Sequence, residues 1–136
     1  MSENHKRAIS VTLALLDEAF SEFDRWARGD EIKSVLYEVE NTLSTDQRHR
    51  LSVELAEVRK TLLDIRDHLG LNRTSNSAKK MILAQCSILW TTLVELESRY
   101  LKSYGELPPG LGTYLDPRAI LLIQGLRRIS DIVGKD

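Results

Sequence analysis

Residues 51–69 read LSVELAEVRKTLLDIRDHL, and their apolar side chains recur at alternating steps of four and three. The apolar positions are Leu51, Leu55, Val58, Leu62, Ile65 and Leu69. This spacing averages 3.5 residues, which keeps one side of an α-helix apolar and suits packing against a near-parallel neighbour. The segment therefore predicts a helix that buries one side along its whole length.

Four other stretches of the chain repeat the same spacing. They are Ile9, Leu13, Leu16, Phe20, Phe23 and Ala27; Ile82, Cys86, Leu89, Leu93, Leu96 and Tyr100; and two shorter runs, Ile32, Leu36, Val39 and Leu43, and Ala119, Leu122, Leu126, Ile129 and Val133. No stretch alternates apolar and polar residues over a useful strand length. The pattern predicts an all-α fold, an antiparallel bundle of four to five helices with coiled-coil-like 4-3 apolar spacing.

Residues with known capping preferences set the expected boundaries of these helices. Gly29 and Gly70 each follow an apolar run and predict helix stops, with Gly70 in a left-handed conformation. Ser44 and Gln47 fit a capping box, and Asp116, which proline follows, predicts a capped helix start. The five predicted helices span residues 3–28, 31–43, 45–69, 75–104 and 117–133.

Residues in the middle of a long apolar run are expected to form the core. Leu62 in the third predicted helix, and Leu89 and Leu93 in the fourth, should therefore be almost fully buried. Replacing a leucine in such a position by alanine typically destabilises a protein by ~2–5 kcal/mol.

Length and composition indicate one globular domain, residues 1–136. Apolar residues make up 42% of the chain and charged residues 29%, and the formal net charge is −1. A near-neutral charge argues against a general polyanion binder. The charge is uneven, because residues 1–69 hold 10 Lys/Arg and 14 Asp/Glu (−4), whereas residues 70–136 hold 9 and 6 (+3). Head-to-tail attraction between copies is therefore conceivable.

The beginning of the chain and its hydropathy bear on localisation. The first residues, MSENHKR, are polar and do not resemble a secretory signal. No uncharged apolar run approaches the ~20 residues of a membrane span. We therefore expect a cytoplasmic protein without a membrane partner.

Candidate groups for catalysis or metal binding are few. The three histidines, His5, His49 and His68, occur in no Glu-x-x-His or His-x-x-x-His pattern, so we expect no metal and no cofactor. The single cysteine, Cys86, lies on an apolar run and is typical of a small core residue. We predict that the protein is not an enzyme. An enzyme that uses His49 or His68 with neighbouring carboxylates is the least favoured alternative.

Basic residues near two predicted helices leave a second functional class open. The candidates are Arg73, Lys79, Lys80, Arg127 and Arg128. They would suit a nucleic-acid-associated regulatory protein, although no exposed aromatic residues alternate with them as base stacking would need. A nucleic acid is therefore an unlikely partner, and this class is the alternative to a protein-binding function.

The segment between the last two predicted helices is rich in proline and glycine and also apolar. Its candidate docking residues are Leu107, Pro108, Pro109, Leu111 and Tyr114. Such a segment suits either a lid over one end of the bundle or a pre-extended element that a partner recognises. The sequence leaves both interpretations open.

The fourth predicted helix carries a second apolar stripe beside its main one. The stripe consists of Leu83, Trp90, Val94 and Leu101. A helix that is apolar on two sides lies centrally, here under the last helix, or faces another subunit. We predict a non-catalytic protein–protein interaction module, an adaptor, regulator or assembly factor, that self-associates as a homodimer with Trp90 near the centre of an antiparallel helix pair.

Overall fold

A computed structural model describes residues 1–135 of the chain. Helices dominate it, and its strands form one short hairpin, so the predicted all-α class is confirmed. In chain order the elements are α1 (Glu3–Ala27), β1 (Ile32–Lys33), β2 (Glu38–Val39), α2 (Thr45–Leu69), α3 (Ala78–Val94), α4 (Ser98–Leu101), a 3₁₀ turn (Lys102–Tyr104) and α5 (Leu111–Gly134). They fall into two compact units, the first Met1–Thr74 and the second beginning at Ser75. That the whole chain packs as one domain and one bundle stays a prediction.

Helices α1 and α2 form an antiparallel pair in the first unit. Arg59 of α2 and Asp24 of α1 form an ion pair with a nitrogen–oxygen distance of 3.5 Å. Ala27 and Leu55 are the buried side chains of this pair. Both helices lie within about one residue of their predicted bounds, because an uninterrupted six-position pattern leaves little choice of register.

The predicted caps of α2 are confirmed. The Gln47 N–H donates to the Ser44 hydroxyl oxygen at 3.0 Å, and the Ser44 N–H donates to the Gln47 side-chain oxygen at 2.9 Å. Gly70 ends the helix with φ of 65°, a conformation that glycine adopts without the steric penalty of a Cβ atom. Local sequence therefore accounts for both ends of this helix.

The prediction of a helix over residues 31–43 is wrong, because an antiparallel hairpin occupies much of this segment. Ile32 pairs with Val39 across the hairpin, and both side chains are half-buried. The Ser34 N–H donates to the Tyr37 carbonyl at 2.8 Å and closes the turn. Four apolar positions are too few to distinguish the helical period from the strand period, and β-branched residues at the pairing positions favour the strand.

The tip of this hairpin and the segment after it explain why a helix does not form. Leu36, predicted to face inward, lies at the tip and is 98% exposed, beside Val35 at 94%. After the hairpin, the Asn41 side-chain nitrogen donates to the carbonyl oxygens of Trp26 at 2.8 Å and Asp30 at 3.0 Å. These bonds tie the segment to the end of α1 and compete with helical backbone bonding.

Helices α3 and α5 form the antiparallel pair of the second unit. Cys86 and Ala119 are its buried side chains, and both are small. Ser98, just after α3, hydrogen-bonds to Asp116, which lies near the start of α5. Short side chains along the contact line allow the two helix backbones to approach closely.

The predicted fourth helix, residues 75–104, is interrupted after Val94, where α3 ends. The N–H groups of residues 95–97 each donate to the carbonyl three positions back, so the helix tightens before Glu97 adopts an extended conformation. The hydroxyls of residues 91–92 donate to carbonyls one turn earlier, which weakens and bends helices. The apolar pattern continues through the break and could not reveal it.

The last helix was predicted over residues 117–133 with Asp116 as its cap, and both the start and the cap are wrong. The helix begins at Leu111 and contains Pro117 in its interior. Asp116 instead accepts two hydrogen bonds from Ser98, one from the backbone N–H and one from the hydroxyl, each at 3.0 Å. A favourable capping sequence is therefore used to hold the start of α4 rather than of α5.

The core differs from the prediction at its central leucines. Leu62 and Leu93 are only half-buried, and Leu89 is 39% exposed. The buried residues are Ala27, Leu55, Cys86 and Ala119. Each unit contains one pair of long helices, and each helix of a pair covers only a narrow line of its partner's surface.

Candidate interaction surface

The predicted second stripe is divided by the fold. Leu83 and Val94 are half-buried on α3, and Trp90 is 50% exposed. Leu101 is half-buried on α4, beyond the break, so it does not continue the stripe along one helix. The four residues therefore do not make one continuous exposed strip.

Leu83 and Trp90 contribute to an open groove of about 320 Å³ between α3 and α5. The groove is lined by Leu83, Cys86, Ser87 and Trp90 of α3 and by Leu126, Arg127 and Ser130 of α5. We call this side of the helix pair the groove side. Trp90 and Ile120 are the large apolar side chains of α3 and α5 exposed on this side, and Arg127 adds a positive charge beside them.

A larger apolar surface lies elsewhere on the same helix pair. Its eight side chains are between 39% and 72% exposed: Met81, Ile82, Ile88 and Leu89 of α3, and Leu121, Leu122, Ile129 and Ile132 of α5. We call this set the outer face. Ile82, Leu89, Leu122 and Ile129 belong to the apolar runs that the sequence assigned to the core.

Helical geometry places Ile82 and Leu89 of the outer face on the other side of Cys86 from the groove residues. Consecutive residues of an α-helix are about 100° apart around its axis. Leu83 and Trp90 therefore lie about 40–60° to one side of Cys86, the residue buried against α5. Ile82 and Leu89 lie by about the same angle to the other side.

The same geometry shows which residues of α5 share a side of the helix pair with the groove residues of α3. Arg127, which lines the groove, lies about 80° to one side of Ala119, the buried residue of this helix. Leu122 and Ile129 lie about 60–80° to the other side. Because the groove residues of both helices share one side of the pair, Ile82 and Leu89 of α3 share the other side with Leu122 and Ile129 of α5. The remaining outer-face residues, Met81, Ile88, Leu121 and Ile132, lie about 140–160° from the buried residue of their helix and flank this side.

Long stretches of the two helices that carry the outer face contain no charged residue. Residues 81–94 contain no Asp, Glu, Lys or Arg, although Cys86 is the one buried residue among them. Residues 119–126 of α5 are also uncharged. A helix surface that faces water normally carries charged residues on its polar side. This absence, rather than the stripe spacing, is the signal in the sequence that could have identified Met81 and Ile88.

Gly125 lies within the α5 part of the outer face. A Cβ atom added there would meet only the Arg128 guanidinium, at 3.8 Å. Nothing within the second unit therefore requires a glycine at this position. The Arg128 guanidinium borders the space that the absent side chain leaves between the exposed residues Leu122 and Ile129.

The candidate docking loop is partly helical. Leu111 and Tyr114 belong to the first turn of α5, and only Leu107, Pro108 and Pro109 precede that helix. The Arg118 guanidinium stacks on the Tyr114 ring with its carbon 3.7 Å from the ring centre. This contact covers one face of the tyrosine, and the role of the segment as a lid or a docking element stays open.

The structure places the basic candidates on several elements. Arg73 belongs to the first unit, and Lys79 and Lys80 lie in the first turn of α3. Arg127 lines the groove, whereas Arg128 does not.

Groups suited to metal binding are not brought together in the described part of the chain, and the Ser2 hydroxyl lies 2.7 Å from the exposed His5 ring near the start of α1. Within residues 1–135, no three His, Cys, Asp or Glu side chains are placed to hold a metal ion. Cys86 is buried between α3 and α5 as a free thiol. His49 and His68 are exposed on α2.

Comparison with family models, with curated proteins and with solved structures gives no match to this chain. Among the helices described, none combines the length and apolarity needed to cross a membrane.

Proposed function

We propose that the protein is a non-catalytic protein–protein interaction module, an adaptor, regulator or assembly factor, that self-associates as a homodimer. In this proposal its helices complete a coiled-coil-like bundle only when copies associate. The observation that supports it is the stretch 81–94 of α3, which has no charged residue and yet has only Cys86 buried.

The physical argument rests on the free energy of apolar exposure. Each Å² of apolar surface removed from water contributes roughly 25 cal/mol. Monomeric soluble proteins rarely expose a contiguous apolar patch beyond a few hundred Å². The second unit exposes apolar side chains on both of its long helices, so association that covers them is favourable.

Light scattering over a dilution series of the full chain tests the proposal directly. We expect a mass near twice the 15.5 kDa of one chain at high concentration, falling towards one chain on dilution. Far-ultraviolet circular dichroism should show helical content throughout. A strict monomer at high micromolar concentration would contradict the proposal.

A further inference from the structure

We infer that the homodimer forms through the outer face, with α3 and α5 of one copy packing on α3 and α5 of a second copy around a two-fold axis. The inference rests on the proposed function and identifies the surface that carries it. It differs from the prediction made from sequence, which placed Trp90 at the centre of the contact.

The first argument is the size of the surface. The eight side chains of the outer face are on average about half exposed, so together they present on the order of 800 Å², the area that each partner contributes to a stable interface. The groove side exposes only Trp90 and Ile120 among large apolar side chains. The outer face is thus the larger apolar surface of the helix pair.

The second argument is charge. A two-fold contact brings each residue near its own copy, so a charged surface would repel itself. Within the outer face, α3 has no charged residue over residues 81–94 and α5 has none over residues 119–126, and the Arg128 guanidinium borders the face at Gly125. Pairing through the groove side would instead bring two copies of Arg127 together. The uncharged stretches of both helices therefore favour the outer face, and the flexible Arg128 side chain has to turn away from Gly125 when two copies meet there.

The third argument is Gly125. A glycine in the interior of a helix costs roughly 1 kcal/mol relative to alanine, and nothing in the second unit requires it. Where two helices cross, a missing side chain lets their backbones approach closely. We therefore place the crossing of the two α5 helices at Gly125, between the exposed side chains of Leu122 and Ile129.

A second copy also fits this surface better than a lipid surface does. Helices that lie in a membrane interface carry Lys and Arg on the side that faces water. Over residues 81–94, α3 has no charged residue on any side. Two adjacent apolar strips on an antiparallel helix pair are, by contrast, half of a four-helix bundle.

Two neighbouring residues of α3 provide a matched test. Ile88 belongs to the outer face and Ser87 lines the groove, about 100° away around the α3 axis, and both are exposed. We expect Ile88→Glu to raise the dimer dissociation constant at least ~tenfold, since it brings two carboxylates into an apolar contact. Ser87→Glu, with the same added charge, should leave the constant within about threefold of the original.

The outcomes separate the inference from the proposed function. A wild-type dimer that persists in Ile88→Glu, or that Ser87→Glu dissociates, overturns the outer face and leaves self-association intact. A wild-type monomer overturns both, and so does a monomer that binds neutral phosphatidylcholine vesicles. Leu122→Glu on α5 repeats the test, and circular dichroism verifies that each variant is folded.

Disulfide trapping tests the crossing point independently. In a Cys86→Ser background, Gly125→Cys should form a covalent dimer under mild oxidation, because a disulfide needs Cα atoms about 4.4–6.8 Å apart. Thr91→Cys in the same background, on exposed α3 surface outside the outer face, should not. A dimer that Gly125→Cys fails to cross-link would overturn the crossing at this residue.

Discussion

Gly29 combines two requirements for glycine at a single position. Its φ is 88°, in the left-handed region, and an added Cβ would collide with the guanidinium of Arg48. Gly70 also has a left-handed φ, of 65°, but nothing lies within 4 Å of an added Cβ. Substitutions at the two glycines therefore separate the cost of left-handed backbone from the cost of steric contact with Arg48.

We expect Gly70→Ala to destabilise the first unit by about 1–2 kcal/mol, the cost of left-handed backbone for a residue with a Cβ. Gly29→Ala should cost more, because Arg48 must also move. Urea unfolding followed by circular dichroism measures both. Equal losses of unfolding free energy in the two variants would mean that the Arg48 side chain moves aside at little cost.

Asp116 has the sequence features of a cap for α5, but it binds the start of a different helix, α4. Both carboxylate oxygens accept hydrogen bonds from Ser98, at the start of α4. Asp116→Ala should therefore cost about 0.5–2 kcal/mol, the usual cost of losing a helix cap. Amide hydrogen exchange should accelerate at Ser98. Ser98→Ala, which loses only the hydroxyl bond, is the milder control, and an equal or greater loss in it would contradict this account.

At the scale of elements, longer apolar runs predicted the secondary structure of their segments more accurately than shorter ones. The six-position runs of α1 and α2 leave one register, and both helices lie close to their expected bounds. The four-position run over residues 31–43 fits more than one period, and tertiary bonds from Asn41 decide the outcome. Beyond the break after Val94, the Ser98 N–H donates to Asp116 of α5, a contact that no local pattern records.

The hairpin offers a test of what holds this segment. Asn41→Ala should destabilise the first unit by about 1–3 kcal/mol, because it leaves the part-buried carbonyls of Trp26 and Asp30 without this donor. Leu36→Ser, at a tip residue that is 98% exposed, should change stability by less than ~0.5 kcal/mol. Thermal unfolding of both variants makes the comparison. A larger loss in Leu36→Ser would show that the tip packs against something in solution.

At the scale of the whole molecule, the sequence indicated an interaction surface in the second half of the chain but not which side carries it. Helix α3 is apolar almost all round, so its pattern alone does not identify the side that α5 covers. The structure buries Cys86 against α5, which leaves Leu89 and Ile82 exposed and Leu83 half-buried. A shift of about 100° around one helix axis thus separates the predicted stripe from the outer face.

Ionic strength distinguishes the two ways in which copies could associate. Head-to-tail attraction between the −4 and +3 halves of the chain would weaken as salt rises from about 0.05 M to about 0.5 M, because the Debye length shortens severalfold. Association through the largely apolar outer face should keep its dissociation constant within about twofold over that range. Sedimentation equilibrium at both salt concentrations measures the constant.

The concentration dependence of thermal stability should distinguish the same two modes of association. If copies associate when folded, the unfolding midpoint rises with protein concentration, since mass action favours the associated native state. The rise should persist at high salt and disappear in Ile88→Glu, whereas Ser87→Glu should retain it. A midpoint that depends on concentration only at low salt would instead place the contact between the oppositely charged halves, because screening acts on charges and leaves apolar burial in force.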